Sequence, residues 1–256
     1  MNEDLLVLKK FIYGLKNKQD EFYRKRKNID QPVLSKMFLE LLNIDRKKQV
    51  FIKENAPYFN IFSIMRYGHY ETRLHTPFLI HLLTPNGHHQ IELQFFKFLI
   101  DSVFSNEEKK EKIEFVESDL KNIKVFEEYA NEQLDGRIDI FIQFLYLNEY
   151  YFIAIENKIN ACDQDDQLFR YYNFLKRLQP NEKNIRLVYL TKYGSPPDIP
   201  RSISQSDYIT LHEKGILKLL SYKKEIARWI TKILENRIPS TVNEILKQYL
   251  HTINNF

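Results

Sequence analysis

One aspartate, and a glutamate followed two positions later by a lysine, stand in neighbouring stretches of chain that alternate apolar and polar residues. They are Asp139, Glu156 and Lys158, and the stretches are 137–146 and 150–158. Alternation with a period of two is typical of half-buried strands. The polar segment between the stretches can reverse the chain, so the sequence predicts an antiparallel β-hairpin with an acidic residue on each strand.

The register of that hairpin decides which side chains share a face. A reversal centred on residues 147–148 sets Asp139 opposite Glu156, and directly opposed residues have Cβ atoms about 5 Å apart. The same register sets Arg137 opposite Lys158. We therefore expect one polar face with two acids and two bases, and one apolar face on which isoleucines of the two strands pair.

Two opposed carboxylates favour a divalent cation. They repel each other more strongly as they lose water, and one lysine does not fully compensate for both. Mg²⁺ and Mn²⁺ prefer oxygen ligands, and Mg²⁺ commonly binds one or two carboxylates while water and phosphate fill its other positions. Such a cation polarises a phosphoryl oxygen and lowers the pKa of a bound water. The chemistry favoured is phosphodiester hydrolysis, in which Lys158 orients or deprotonates the water or stabilises the transition state.

A structural interpretation of the same residues is also open. Asp139 and Glu156 could be solvent-facing strand acids that form ion pairs with the neighbouring arginine and lysine. Surface ion pairs contribute little to stability, so nothing structural requires acids at these positions.

Residues 136–171 resemble the PD-(D/E)XK nuclease superfamily, in which an acid on one strand precedes (D/E)-x-K on the next. Here the acid is Asp139 and the second motif is Glu156-Asn157-Lys158. Gln167 and Tyr171 are similar to the QxxxY helix motif of the branch that contains exonuclease domains of recombination enzymes. Residues four apart lie on one helix face. The resemblance implies that this face points at the active site and contacts substrate or a metal-bound water.

The segment 71–85 is similar to the helical lead-in of an uncharacterised subgroup with the pattern E..HSxFLxxLLxP, followed by a histidine. Thr76 replaces the usual serine, and Gln90 stands where a glycine commonly follows the histidine. The resemblance implies that Glu71 or His89 completes the metal shell. Capping or packing is the alternative role for His89.

The resemblance as a whole implies a Mg²⁺- or Mn²⁺-dependent nuclease that acts on DNA, and phage defence is the role that the family analogy suggests. Asp139 and Glu156 would bind the metal, with the backbone carbonyl of Asn157 as a further ligand. Arg137 and Arg170 are candidate contacts to phosphate. RNA as the substrate is the first alternative. The second is a catalytically silent module that grips nucleic acid or a partner protein through basic helices at 9–27 and 46–48.

Composition excludes several other classes. Hydrophobic residues make up 43 % of the 256 residues, which is enough for a sizeable core. The chain has 6 glycines and no glycine-rich phosphate loop, and its single cysteine excludes an internal disulfide framework or a cysteine-based zinc cluster. No apolar run approaches the ~18 residues of a membrane helix, and the N-terminus is not a secretory signal. A cytoplasmic protein without a membrane partner is expected, and the net charge of +4 permits nucleic-acid binding.

The elements around the hairpin predict an α/β fold with a central mixed sheet and flanking helices, and the resemblance implies that this sheet is a restriction-endonuclease-like core. An N-terminal helical extension over 1–60 precedes a nuclease-like domain over 61–256 that ends in helices. A homodimer, or a partner protein that supplies targeting, is compatible with this organisation. The predicted helices are 3–27, 33–43, 60–67, 77–84, 88–104, 163–179 with Asp163 as its cap, and two or three over 213–252; the predicted strands are 113–117, 124–130, 137–146, 150–158, 185–191 and 208–211.

Overall fold

The computed structural model describes residues 10, 13–15, 31–55, 59–66, 68, 70–106, 111–132 and 134–256. The chain divides into two compact units, Met1–Phe59 and Asn60–Phe256. The helix predicted over 3–27 lies almost wholly outside the described residues, although the described positions 10 and 13–15 are helical.

In the first unit the longest described element is helix α1, Gln31–Asn55. It confirms the helix predicted over 33–43 and continues well beyond it, because no proline or glycine interrupts the chain after Pro32. A proline in the first turn is tolerated, since the N–H group that it lacks has no helical partner there. The basic cluster at 46–48 lies on α1.

The second unit begins with helices that lead into the sheet. Helix α2 is capped by Asn60, whose side chain accepts hydrogen bonds from the backbone at its first turn. A π-helical turn, Glu71–His75, runs directly into helix α3, so Thr76 continues a helix instead of capping one. The helices of this lead-in are α2 (Ile61–Ile64), α3 (Thr76–Leu83) and α4 (Gln94–Val103).

The helix predicted over 88–104 is wrong in its first turns. Helix α4 starts only at Gln94, and the residues before it form turns. The backbone of Gln90 and Glu92 has φ values of 56° and 52°, in the left-handed region that interrupts a right-handed helix.

A five-stranded mixed sheet forms the centre of the second unit, with strand order β3-β4-β5-β6-β7. The pairs β3–β4 and β4–β5 are antiparallel, whereas the pairs β5–β6 and β6–β7 are parallel. A separate two-stranded ribbon precedes it. The strands are β1 (Ser105–Asn106), β2 (Glu111–Lys112), β3 (Leu120–Tyr129), β4 (Ile138–Tyr146), β5 (Glu149–Lys158), β6 (Ile185–Thr191) and β7 (Leu217–Ser221). The predicted α/β class with a central mixed sheet is therefore confirmed.

The remaining helices follow the strands. These helices are α5 (Gln167–Leu178), α6 (Gln205–Glu213), α7 (Ala227–Leu234) and α8 (Ser240–Asn254). A second π-helical turn, Tyr222–Ile226, leads from β7 into α7, and Pro239 precedes the last helix as predicted. Among the residues that the structure describes, no helix is long and apolar enough to cross a membrane.

Two further predicted elements differ from the structure, and one strand lies where helices are predicted. Residues 208–211 belong to helix α6, not to a strand, because the Ser204 side chain accepts a hydrogen bond from Asp207 N and starts a helix. Residues 113–116 lie outside any strand. Strand β7 lies within the segment 213–252 that is predicted to be helical, since its five residues are too few to show a period.

The sheet is apolar on both faces, which corrects the expectation of one polar face. Ile140, Ile155 and Val188 pack on the side of α3, α4, α7 and α8. Phe141 and Ala154 pack on the side of α5 and α6. Parallel strands in the middle of a sheet are covered on both faces. The acids and the lysine of the candidate site lie at the end of the sheet where β4 begins and β5 and β6 terminate.

Candidate active site

The hairpin register brings the predicted acids together. Ile140 pairs with Ile155 as predicted, so Asp139 and Glu156 occupy the next position along the two strands. The backbone N–H of Asn157 donates a 2.8 Å hydrogen bond to Asp139 Oδ2. The carboxylate of Asp139 is thereby fixed against the end of β5.

Glu156 is the most buried acid of the site, with 2 % of its surface exposed. Its Oε1 lies 2.8 Å from Lys158 Nζ and accepts a 2.8 Å hydrogen bond from Gln167 Nε2. Its Oε2 is buried and has no hydrogen-bond partner among the described residues. A buried carboxylate oxygen without a partner is costly, which indicates that a ligand belongs there.

Burial and mutual repulsion make this pair of carboxylates reluctant to ionise. Loss of water raises the pKa of Asp139 to about 6, opposed by the Asn157 N–H and by Lys158. Loss of water, and then the charge of Asp139, raise the pKa of Glu156 to about 8, although Lys158 acts in the opposite direction. One ammonium group does not balance two buried carboxylates, so the site is short of positive charge.

Lys158 is held close to Glu156 on the rim of the site. Its Nζ also donates to the Cys162 carbonyl at 3.3 Å. Burial alone would lower the pKa of the Lys158 ammonium, but attraction to Glu156 and Asp139 raises it above its ordinary value. The group therefore stays charged and can stabilise negative charge beside the two carboxylates.

The donor set fits a cation that prefers oxygen and retains water. Within the described part of the chain, no group of three or more His, Cys, Asp and Glu side chains could hold a metal. Two carboxylates, one with a free buried oxygen, and a backbone carbonyl match the way Mg²⁺ is bound, with water and phosphate completing the shell. They match the requirements of structural zinc poorly, because zinc takes four protein ligands, mostly Cys and His.

Gln167 and Tyr171 lie on the face of α5 that packs against the sheet, with 3 % and 1 % of their surfaces exposed. Gln167 Nε2 donates to the Tyr171 hydroxyl at 3.2 Å, and Gln167 Oε1 accepts from Gln164 N at 3.2 Å. The Tyr171 hydroxyl donates to the Arg137 carbonyl. The two side chains therefore position Glu156 and the start of β4, and neither is exposed enough to present a surface to a substrate.

Tyr171→Phe is expected to lower the free energy of unfolding by about 1–3 kcal/mol, because the buried Arg137 carbonyl and Gln167 amide each lose a partner. Urea unfolding followed by tryptophan fluorescence measures the change. Tyr172→Phe is the matched control, since its hydroxyl bonds Glu182 at the edge of the same helix. An effect of Tyr172→Phe as large as that of Tyr171→Phe would contradict the buried role of Tyr171.

Glu71 reaches the loop that follows Lys158. Its Oε1 accepts hydrogen bonds from three successive backbone N–H groups, those of Ile159, Asn160 and Ala161, the last two at 2.6 and 3.0 Å. Three converging N–H groups form a site for an anionic oxygen. The charge of Glu71 also contributes to the raised pKa of Asp139, so the side chain lies within electrostatic reach of the site.

Replacement of Glu71 tests its role in holding this loop. Glu71→Ala removes the acceptor for three N–H groups and should cost about 1–3 kcal/mol of unfolding free energy. Glu71→Gln keeps an acceptor oxygen and should retain most of the stability. Thermal melting of both variants separates the two effects, and equal losses would mean that the loop depends on the charge of Glu71 rather than on its oxygen.

His89 lies in the turn before α4, and both of its ring nitrogens have backbone partners. Nε2 contacts the Thr84 carbonyl at 3.0 Å, and Nδ1 accepts from Ile91 N at 3.0 Å. Burial lowers the pKa of the ring, which favours its neutral form. Neither nitrogen is free for a metal in this arrangement, which agrees with the capping and packing alternative.

The two arginines are placed differently. Arg137 precedes β4, is largely exposed and forms a 2.7 Å ion pair with Glu128, so it does not oppose Lys158 as expected. Arg170 lies on the outer side of α5 and lines an open cavity of about 590 Å³ with Asp135, Asn173, Lys176 and Arg177. Its Nε is buried and has no partner among the described residues. Its guanidinium also contacts Asp135 Oδ2 and Gln164 Oε1, both at 3.5 Å, so both arginines have partners in the structure.

Asp163 does not cap α5, which corrects the prediction. It is buried and accepts hydrogen bonds from the Tyr189 hydroxyl and from Asp198 N, at 2.9 and 2.7 Å, whereas the helix begins four residues later. Its charge adds to the forces that raise the pKa of Glu156.

A buried polar network around Asn157 was not visible in the sequence. The Asn157 side chain donates to Thr76 Oγ1 and accepts from the Tyr222 hydroxyl, both at 2.9 Å. These partners come from α3 and from the turn after β7, on the opposite face of the sheet from Glu156. Asn157 thereby fixes the end of β5, so that Glu156 and Lys158 project to the other side. No local pattern could have revealed partners so distant in sequence.

Comparison with known proteins agrees with this geometry. A family model of the PD-(D/E)XK nuclease superfamily matches residues 59–252, which include every residue of the site. Neither the curated proteins nor the solved structures gave a match. The match covers most of the chain, and the acid, the glutamate and the lysine that define the motif converge at one end of the central sheet. The chain belongs to the PD-(D/E)XK nuclease superfamily.

Proposed function

We propose that this protein is a divalent-cation-dependent nuclease that hydrolyses phosphodiester bonds of DNA. One observation carries the proposal: Asp139, Glu156 and Lys158 converge, and the buried Glu156 Oε2 lacks a partner in the part of the chain that the structure describes. A structural role does not explain a buried pair of carboxylates balanced by one lysine. Surface ion pairs, the alternative interpretation, do not apply to a glutamate that is 2 % exposed.

We assign a different role to each residue of the site. Asp139, Glu156 and the carbonyl of Asn157 would hold a Mg²⁺ or Mn²⁺ ion. When bound, this cation polarises a phosphoryl oxygen and lowers the pKa of a coordinated water. The Lys158 ammonium stabilises the negative charge that develops on the phosphate and orients the attacking water. Gln167 holds the Glu156 carboxylate in place through the hydrogen bond from its Nε2 to Glu156 Oε1.

Two further roles follow from position. Tyr171 fixes the start of β4 through the Arg137 carbonyl and so supports Asp139. Arg170, beside the open cavity on the outer side of α5, is a candidate contact for phosphates away from the scissile bond. Because the site recognises phosphate rather than sugar, RNA is the alternative substrate of the same chemistry.

A cleavage panel tests the proposal. Purified protein is incubated with single- and double-stranded DNA and RNA, in Mg²⁺, in Mn²⁺ and in EDTA. Cleavage of DNA that requires the cation supports the proposal, and cleavage of RNA alone replaces DNA by RNA as the substrate. Binding without cleavage of any substrate would favour a silent binding module, and neither binding nor cleavage would reject both.

A further inference from the structure

A cationic and aromatic surface borders the candidate active site, at the ends of β6 and β7. We name it the Tyr193 patch, and it consists of Lys192, Tyr193 and Lys223. Lys158 and Thr191 are neighbours in the parallel pairing of β5 and β6, so the patch starts one residue beyond the partner of the site lysine. Neighbouring strands lie about 5 Å apart. The patch therefore begins beside the end of β5 that carries Lys158.

Lys192 connects the patch to the loop that follows Lys158. Its Nζ donates to Asn160 Oδ1 at 2.7 Å, and Asn160 is one of the residues whose backbone N–H bonds Glu71. The Lys192 carbonyl accepts hydrogen bonds from Lys223 N and from the Ser221 hydroxyl, at 3.2 and 2.9 Å. These hydrogen bonds tie the bend that carries Lys192 and Tyr193 to the end of the sheet.

Tyr193 is held in place yet remains open to solvent. Its hydroxyl donates to the Phe256 carbonyl at 3.2 Å, and Lys223 Nζ lies 5.1 Å from the centre of its ring. Lys223 Nζ donates to the same carbonyl at 3.0 Å. The side chain of Tyr193 is nevertheless 60 % exposed. An aromatic ring that is anchored at its hydroxyl and free over much of its surface can receive a second planar group by stacking.

We infer that the Tyr193 patch binds an unpaired nucleotide next to the scissile phosphate, with the base stacked on Tyr193 and the phosphates near Lys192 and Lys223. This inference rests on the proposed function and deepens it, because it names nucleic acid with an unpaired base as the preferred substrate. A base within a duplex is stacked on its neighbours, so only an unpaired base can present its face to the ring. Stacking works with every base, so the patch gives preference for single strands without sequence specificity.

Binding of an unpaired strand is measured by fluorescence anisotropy with full-length protein that carries Glu156→Gln and with EDTA, so that nothing is cut. The probes are a labelled oligothymidylate of roughly twelve nucleotides, within the range that single-strand binders cover, and a duplex of the same length. Tyr193→Ala is expected to raise the Kd for the oligothymidylate roughly five-fold or more, because aromatic stacking contributes about 1–3 kcal/mol per base. Tyr193→Phe keeps the ring and should bind nearly as well as the parent, and the Kd for the duplex should not change.

Tyr150→Ala is the matched control. Tyr150 is 45 % exposed at the opposite end of β5, far along the strand from Lys158. Its removal should leave both affinities unchanged. The inference is overturned if Tyr193→Ala binds the oligothymidylate like the parent, if Tyr193→Phe is as weak as Tyr193→Ala, or if duplex and single strand are weakened equally.

The inference and the proposed function can fail separately. If the wild-type protein cuts duplex DNA with a divalent cation and Tyr193→Ala leaves single-strand binding intact, the nuclease stands and the inference is wrong. If single-strand binding depends on Tyr193 but no substrate is cut with any cation, the binding surface stands and the nuclease proposal is wrong.

Discussion

Lys158→Met protein is expected to bind nucleic acid about as tightly as the wild type and to cleave it at least ~100-fold more slowly. The substitution keeps the length of the side chain and removes the ammonium group that lies 2.8 Å from Glu156. Groups that stabilise charge in a transition state contribute about 10²–10³ to the rate, and positioned proton donors or acceptors about 10²–10⁴. Single-turnover cleavage with enzyme in excess measures this step without product release.

A lysine elsewhere on the same domain provides the control. Lys97 lies on α4 and pairs with Asp101 at 2.6 Å, away from the candidate site. Lys97→Met should cleave at the wild-type rate. Melting curves of both variants establish that they fold. A wild-type rate for Lys158→Met, or an equal loss in Lys97→Met, would remove Lys158 from the chemistry.

The stability of the cation-free protein is expected to fall as the pH rises from about 4 to about 8. Over this window the unfolded chain releases the protons of Asp139 and Glu156, whose ordinary pKa values are near 4. The folded protein keeps them up to about pH 6 and about pH 8, because burial raises both pKa values. The folded state then binds more protons than the unfolded state, so the free energy of unfolding decreases with pH.

The size of this effect should be at least about 2 kcal/mol, since each unit of pKa shift corresponds to about 1.4 kcal/mol. Thermal melting or urea unfolding across the pH range in EDTA measures it. Glu182 acts in the opposite sense, because its hydrogen bonds to Lys176, Tyr172 and Lys214 lower its pKa to about 2. Its contribution is gained below the window. The buried His89 ring, whose pKa is lowered, also acts in the opposite sense up to about pH 6.5 and offsets part of the fall, so a variant of one carboxylate is needed to isolate the effect.

Glu156→Gln isolates the contribution of one carboxylate. The amide keeps an oxygen that can accept from Gln167 and Lys158, but it carries no charge. We expect this variant to be more stable than the wild type near pH 8 without a cation, and its stability to depend less on pH. Mg²⁺ or Mn²⁺ should stabilise the wild type near pH 8 by binding the ionised pair, and should affect the variant much less. Identical pH profiles for the two proteins would contradict a strained pair of carboxylates.

The parts of the site that the sequence predicts correctly depend on local regularity. The β4–β5 hairpin has a clear period of two and a short polar reversal, so the pairing of Ile140 with Ile155 follows from the residues themselves. The spacing of Gln167 and Tyr171 places both on one helix face, and the structure directs that face towards Glu156. Patterns with a fixed period determine which side chains meet within one element or between adjacent strands.

The parts that the sequence does not predict depend on contacts between distant segments. Asn157 forms hydrogen bonds with Thr76, which lies far before it in the chain, and with Tyr222, which lies far after it. No spacing rule connects residues so distant in sequence. Strand β7 is too short for periodicity, and residues 208–211 have an apolar content that fits either state. His89 shows the limit of a motif: its type is compatible with metal binding, but the backbone already occupies both nitrogens.

The role of Glu71 illustrates a further limit. The lead-in motif predicts that this glutamate reaches the site, and the structure places its carboxylate on the loop directly after Lys158. Whether a glutamate caps backbone N–H groups or binds a cation depends on side-chain rotation, which residue type and spacing do not encode. The subgroup that the lead-in resembles likewise stays a prediction.

The dependence of cleavage on the divalent cation, compared between the wild type and Glu156→Gln, tests most directly whether Asp139 and Glu156 form a metal-dependent nuclease site. The comparison uses the best substrate of the panel, with protein stripped by EDTA and titrated with Mg²⁺ or Mn²⁺. We predict no cleavage in EDTA, saturable cleavage by the wild type as the cation is added, and no cleavage by the folded Glu156→Gln protein at any concentration. Cleavage by Glu156→Gln at the wild-type rate, or equal cleavage by the wild type with and without the cation, would contradict the assignment of the site.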